Sequence, residues 1–305
     1  MKQYSYLTIL GGLLAIMLIF PQETLAGASN GLLLWFQIVL PTLLPFIILS
    51  NLLIQTNSVY YISKLLSPIL RRFFHVSDSA CYAILIGFMC GYPMGAKVIA
   101  DLIDTKRISE TEGQYLLSFC NNTSPMFIIS YVITQNLNNP DLIIPSLLIL
   151  FGSPVLCSFL FRRFYFYSNQ SGSVNTLSDK QIYFNFSILD HSIMNGFETI
   201  TKIGGYIILF SILFTFGKQL PGAWIMPILE ITNGIPYILD LELPFHVGYI
   251  SVLALTSFGG FCATAQTYSM IQNTKLSILP YIIQKLITAT VTSLLAFLYI
   301  LFILQ

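Results

Sequence analysis

Charge is scarce in this chain. Lys, Arg, Asp and Glu make up 9% of its 305 residues, against 55% hydrophobic residues. A soluble domain carries about 25% charged side chains. So little charge cannot coat a water-facing surface, and a polytopic membrane protein lying in a lipid bilayer is expected. Histidine is nearly absent: His75, His191 and His246 are far apart. No triad, phosphate loop or ligand spacing accompanies them, which argues against an enzyme, a catalytic residue, a bound metal or another cofactor. The net charge is +1, and no basic run or zinc spacing points to nucleic acid. The five cysteines (Cys81, Cys90, Cys120, Cys157, Cys262) are odd in number and scattered through apolar stretches. That excludes a disulfide framework and leaves them as packing residues.

Long hydrophobic runs are abundant, and several are interrupted. The expected spans are Tyr4 to Phe20, Gly31 to Ile54, Gln114 to Gln135, Leu142 to Phe161, Lys202 to Gly217, His246 to Ile271 and Ser277 to Leu304. Each approaches the ~20 residues that cross a bilayer. Lys2 and Ala26-Gly27-Ala28 give the first run the look of a signal peptide, but more apolar segments follow at once, and an uncleaved helix is expected. Two further stretches, Ala80–Ile99 and Trp224–Leu239, are cut in the middle by Gly91-Tyr92-Pro93 and by Asn233-Gly234-Ile235-Pro236.

Charge decides whether these two cross. Lys and Arg of short loops favour the cytoplasm. With the N-terminus inside, a full crossing by Ala80–Ile99 puts Lys106, Arg107, Arg162, Arg163 and Lys180 outside. A hairpin that enters and returns keeps all five inside, and leaves outside the loop 136–141, which has no Lys or Arg. The same logic in reverse makes Trp224–Leu239 a hairpin from the opposite face, with the last helix ending outside.

The expected fold is therefore all-α and polytopic: an inverted repeat with two re-entrant helical hairpins and two broken transmembrane helices. Residues 1–30 form an extra N-terminal helix and loop. The first repeat, 31–164, holds a helix, a hairpin at 80–104, a broken helix at 113–135 and a helix at 141–161. Residues 165–200 form a cytoplasmic linker and an interfacial helix. The second repeat, 201–305, holds a helix, a hairpin at 223–242, a broken helix at 246–272 and a helix at 277–304. Ser109 and Glu112 have capping-box spacing at the start of the first broken helix.

Lipid cannot bond freed backbone groups, so breaks persist only inside protein or beside a cavity. The residues expected to hold the breaks are Gly91, Pro93, Gly95, Pro125, Gly234, Pro236, Gly259 and Gly260. Half-helix N-termini there would attract an anion. Lys97, in an apolar stretch, is read either as a cation facing an anionic substrate or as a structural residue that pairs with Asp101 at i,i+4 or reaches out to the cytoplasm. Tyr92, Asn121, Asn122, Ser124, Asn233, Thr256, Ser257 and Gln266 are the other candidate substrate ligands. Glu230 is a candidate for proton or cation coupling, or for a backbone cap.

The runs Leu34-Trp35-Phe36-Gln37-Ile38-Val39-Leu40-Pro41-Thr42-Leu43-Leu44-Pro45-Phe46, Gly91-Tyr92-Pro93-Met94-Gly95-Ala96-Lys97, Phe119-Cys120-Asn121-Asn122 and Ser257-Phe258-Gly259-Gly260 resemble the sporulation integral membrane protein YlbJ family. That family belongs to the nucleoside-recognition gate-domain group and is related to the concentrative nucleoside transporters. The resemblance implies a role in endospore formation: moving dipicolinic acid, a small aromatic dianion, across the outer forespore membrane by alternating access. Lys97 would then neutralise a carboxylate, and Tyr92 would stack. The alternatives are a nucleoside or other neutral-solute carrier, and a non-transporting structural or gating subunit. Whether the chain forms a homo-oligomer is open.

Overall fold

The computed structural model describes residues 2–165 and 185–303. The linker expected between the halves falls mostly outside these residues. Among the described residues six helical segments are long and apolar enough to cross a membrane: Pro21–Gln55, Glu110–Leu137, Pro140–Tyr165, Phe186–Gly217, Phe245–Ile271 and Ile278–Phe302. They match six of the seven expected spans. The seventh corresponds to α1 (Lys2–Ile19), whose apolar stretch Leu10–Ile19 is shorter.

α2 (Pro21–Leu34) starts with proline at its first position, where no N–H is needed. It therefore takes in residues expected to form a loop. It passes through a π-helical turn at Trp35–Val39 into α3 (Leu40–Gln55). Pro41 has no N–H for the Gln37 carbonyl, and the wider turn just before it takes up the misfit. α4 (Val59–Phe74) carries Lys64, Arg71 and Arg72 and exposes Leu65 and Ile69. It meets the next helix at 91°.

α5 (Asp78–Cys90) and α6 (Met94–Asp104) form the first hairpin. Ser77 caps α5, and α7 (Glu110–Cys120) begins at the Ser109 cap. Only half of the expected capping box forms. Ser109 accepts from the Glu112 N–H, but the Glu112 carboxylate turns to Ser77, taking its N–H at 2.6 Å and its hydroxyl at 3.1 Å. The chain that enters at Asp78 is thus back at the same end by Glu112. Arg162 lies 2.8 Å from His75 at that end, and Gln114 exchanges two hydrogen bonds with Ser277.

After a break at 121–124, α8 (Pro125–Phe127) runs into a π-helix at Ile128–Leu137. α9 (Ile143–Tyr165) closes the first half. α10 (Phe186–Gly217) is one helix of 32 residues, about 48 Å long. It absorbs the expected interfacial helix into the span. It packs along α2 and α3 as the spine of the molecule. The second half repeats the element order: a short 3-10 arm at Ala223–Ile228 with α11 (Ile231–Leu239), then α12 (Phe245–Phe258) broken from α13 (Gly260–Ile271), then α14 (Ile278–Ile303). The buried apolar residues fall into two clusters. One surrounds the first hairpin and α7, the other the second hairpin, the π-helix and α12.

Candidate functional site

Both breaks are set by local chemistry. α5 ends at Gly91, whose φ is +78°, and a Cβ there would lie 2.6 Å from the Ser124 nitrogen. Only glycine fits. Ser124 then caps α8 by accepting from the Phe127 N–H at 3.3 Å, with Pro125 at the first helical position. Gly259 ends α12 at φ +85°, and the Tyr92 ring lies against it.

The hairpin tips are stitched to these breaks. Tyr92 N–H donates to the Asn122 carbonyl at 2.6 Å in the first half, and Cys262 N–H donates to the Leu229 carbonyl at 2.9 Å in the second. The breaks are tied to each other by the Thr123 hydroxyl, which donates to the Thr256 carbonyl at 2.7 Å.

The turn of the second hairpin differs from expectation. Gly234 and Pro236, expected at the break, lie inside α11, and the turn falls at Glu230. Pro236 cannot donate to the Thr232 carbonyl. The Tyr131 hydroxyl donates to that carbonyl instead. Pro93 precedes α6, Gly95 is its second residue, and Gly260 opens α13.

A cavity forms where the four interruptions converge. Tyr92 comes from the first hairpin, Thr123 and Ser124 from the first break, Glu230 and Thr232 from the second hairpin, and Gly259 and Gln266 from the second break. Thr42 and Leu43 of α3, with Ile203 and Ile207 of α10, close the far wall. The cavity holds about 40 Å³ of room for water centres, enough for roughly three waters. A larger solute needs the walls to part.

Glu230 is 3% exposed. Its carboxylate accepts from the Thr232 N–H at 3.0 Å, from the Asn233 N–H and side-chain amide at 2.9 Å each, and from the Thr232 hydroxyl. It therefore occupies the N-terminus of α11, where partial positive charge collects. The anion-attracting end expected in this hairpin is filled by the chain's own carboxylate.

Of the expected substrate ligands, Tyr92, Ser124 and Gln266 line this cavity, as does Glu230. The others are placed in its supports. Asn121 accepts from the Ala96 N–H at 3.2 Å and donates to Thr267 at 2.8 Å and Tyr281 at 3.0 Å. Asn122 donates to the Phe119 carbonyl at 2.5 Å. Asn233 donates to Ser211 at 2.8 Å and accepts from Asn30 at 2.5 Å. The Thr256 hydroxyl donates to its own helix, and the Ser257 hydroxyl accepts from Thr292 at 2.9 Å. Lys97 neither lines the cavity nor forms an ion pair with Asp101. Its ammonium donates to Asn195 and, at 3.1 Å, to Thr199, both on α10.

A second lysine holds the central position. Lys285 of α14 is 2% exposed, and its ammonium donates to the Asn122 side-chain oxygen at 3.0 Å and to the Ser257 carbonyl at 3.2 Å. It thus joins both breaks from behind the cavity wall. The signal was legible: Lys285 is the one charged residue in Ile278–Ile303.

Six spanning segments, two tip-to-break hairpins and a cavity between them define a multi-pass membrane protein of the broken-helix type. Residues 36–139, covering the first hairpin and first broken helix, match the family described as Gate: nucleoside recognition. The chain is also similar to the sporulation integral membrane protein YlbJ of Bacillus subtilis (strain 168), at 27% identity over 314 residues, covering 90% of this chain and 77% of that protein. The family match takes in the motifs around Pro41, Tyr92 and Asn121, and the similarity to YlbJ agrees with the resemblance drawn from those motifs and the one around Gly259. No solved structure matches the chain.

Proposed function

We propose that the chain is an alternating-access carrier of a small organic solute rather than an enzyme. One observation carries this reading. Thr232 lines the central cavity and also a second cavity of about 250 Å³, walled by Asn30, Tyr131, Lys218, Asn233 and Asp240 among others. The Glu230–Asn233 turn stands between the central cavity and a wider vestibule. Shifting it joins the two. In this reading the halves are inverted with respect to each other, the N-terminus is cytoplasmic, the C-terminus lies on the opposite side, and the movement is carried by the second hairpin.

The substrate we propose is a small organic anion, with dipicolinate during endospore formation as the candidate; the name of the Bacillus relative supports a sporulation role. A neutral solute such as a nucleoside is the second reading. It is favoured by Glu230, the one charged side chain among the residues lining the cavity, and by the description of the matching family.

A ligand that binds only the folded state raises its stability. A thermal-shift screen of the purified full chain should show a rise in Tm of several degrees with dipicolinate and none with uridine. The reverse pattern would establish the neutral-solute reading. No shift with either, no uptake into proteoliposomes and stable co-purification of another protein would replace the carrier with a non-transporting subunit.

A further inference from the structure

We infer that Lys285 is the residue that receives the carboxylate of the transported anion. The inference rests on the anion-carrier reading above and deepens it. Lys285 is fully enclosed in α14, yet no carboxylate pairs with it among the described residues. An ammonium has three N–H donors. Two of them meet the acceptors of Asn122 and Ser257.

Both acceptors lie at the C-terminal ends of half-helices. Ser257 is in the last turn of α12, and Asn122 follows the end of α7 while bonding back to its Phe119 carbonyl. Each such end carries about half a negative charge. The ammonium is therefore balanced by partial charges and not by a fixed counter-ion. Partial charges on helix ends separate when breaks move, and a carboxylate then replaces them.

Position supports the same role. Thr123 and Ser124, next to Asn122, line the cavity, as does Gly259, two residues beyond Ser257. Lys285 stands directly behind that wall, bonded to both breaks. A brace alone would not need a charge. The neighbouring Gln284 shows that a neutral donor is accommodated on the same helix, where its amide donates to Tyr165 at 2.6 Å. Lys97 is differently placed: its ammonium donates to Asn195 and Thr199 of α10 and to neither break.

The test is uptake of radiolabelled dipicolinate and of uridine by the full chain in proteoliposomes. Lys285→Gln keeps a donor for the two acceptors but removes the charge. It should raise the KM for dipicolinate at least tenfold, and Lys285→Arg should keep it within a few fold of the parent. If Lys285→Gln fails to fold, Asn122→Asp provides the second measurement. It places a carboxylate against the ammonium with almost no change of volume, and should raise the same KM at least tenfold. An unchanged dipicolinate KM in Lys285→Gln, or in Asn122→Asp, would overturn the inference while leaving an anion carrier. Uptake of uridine and not dipicolinate by the parent chain would instead sink the anion reading itself, and the inference with it.

Discussion

The two hairpins share a plan and differ in what holds them. The first has arms of 13 and 11 residues. They are buried along most of their length and pressed so closely on α7 that a Cβ at Gly87 would lie 2.0 Å from the Cys120 carbonyl oxygen. The second has arms of 6 and 9 residues. Its tip is fixed by hydrogen bonds from Asn30 and Tyr131, and by bonds that Asn233 donates to Ser211 and to the Glu230 carboxylate. Close packing is lost all at once, because an interior tolerates few voids. A hydrogen bond can be exchanged singly for one to water at a net cost of about 1 kcal/mol. The second hairpin, facing a vestibule, is built to move; the first is built to stay.

The sharpest way to break this contrast is Gly91→Ala. It places a side chain at positive φ and against the Ser124 backbone. We expect a loss of about 3 kcal/mol of stability and no uptake, measured by thermal unfolding in detergent and by proteoliposome assay. A variant that folds and transports normally would show that the first hairpin is not rigidly bedded.

Lys97→Met comes next. It removes the bonds to Asn195 and Thr199 that attach the first hairpin to α10. A loss of about 1–3 kcal/mol is expected from the acceptors left unpaired. The KM for the solute should not change, because Lys97 bonds to α10 and to neither break. A tenfold rise in KM with unchanged stability would return Lys97 to the substrate site.

The smallest effect belongs to Asn30→Ala, which cuts one tie on the second hairpin. Stability should fall by about 1 kcal/mol or less. Labelling of a Thr232→Cys variant by a membrane-impermeant thiol reagent should quicken severalfold as the tip loosens. An unchanged rate would mean that the partition does not open at this turn.

Much of this arrangement was legible in the residues themselves. Gly91, Pro125 and Gly259 mark the breaks because each imposes a backbone state, and charge in the loops placed the first hairpin. The second hairpin was read one turn too late. Gly234 and Pro236 look like a break, yet Pro236 is tolerated inside α11 because Tyr131, about a hundred residues away in sequence, meets the carbonyl it frees. Lys97 and Lys285 carry the same signal, a lone lysine in an apolar run. Nothing local distinguishes the one that turns to α10 from the one that joins the breaks.

Residue chemistry by itself determined that the chain lies in lipid, where it spans, and where its helices are forced to stop, because hydrophobic length and backbone permission are local properties. Tertiary structure alone decided which polar groups face the cavity, which merely support it, and which lysine joins the two breaks behind it. Those assignments depend on acceptors brought together from separate helices, and no single segment holds both members of such a pair.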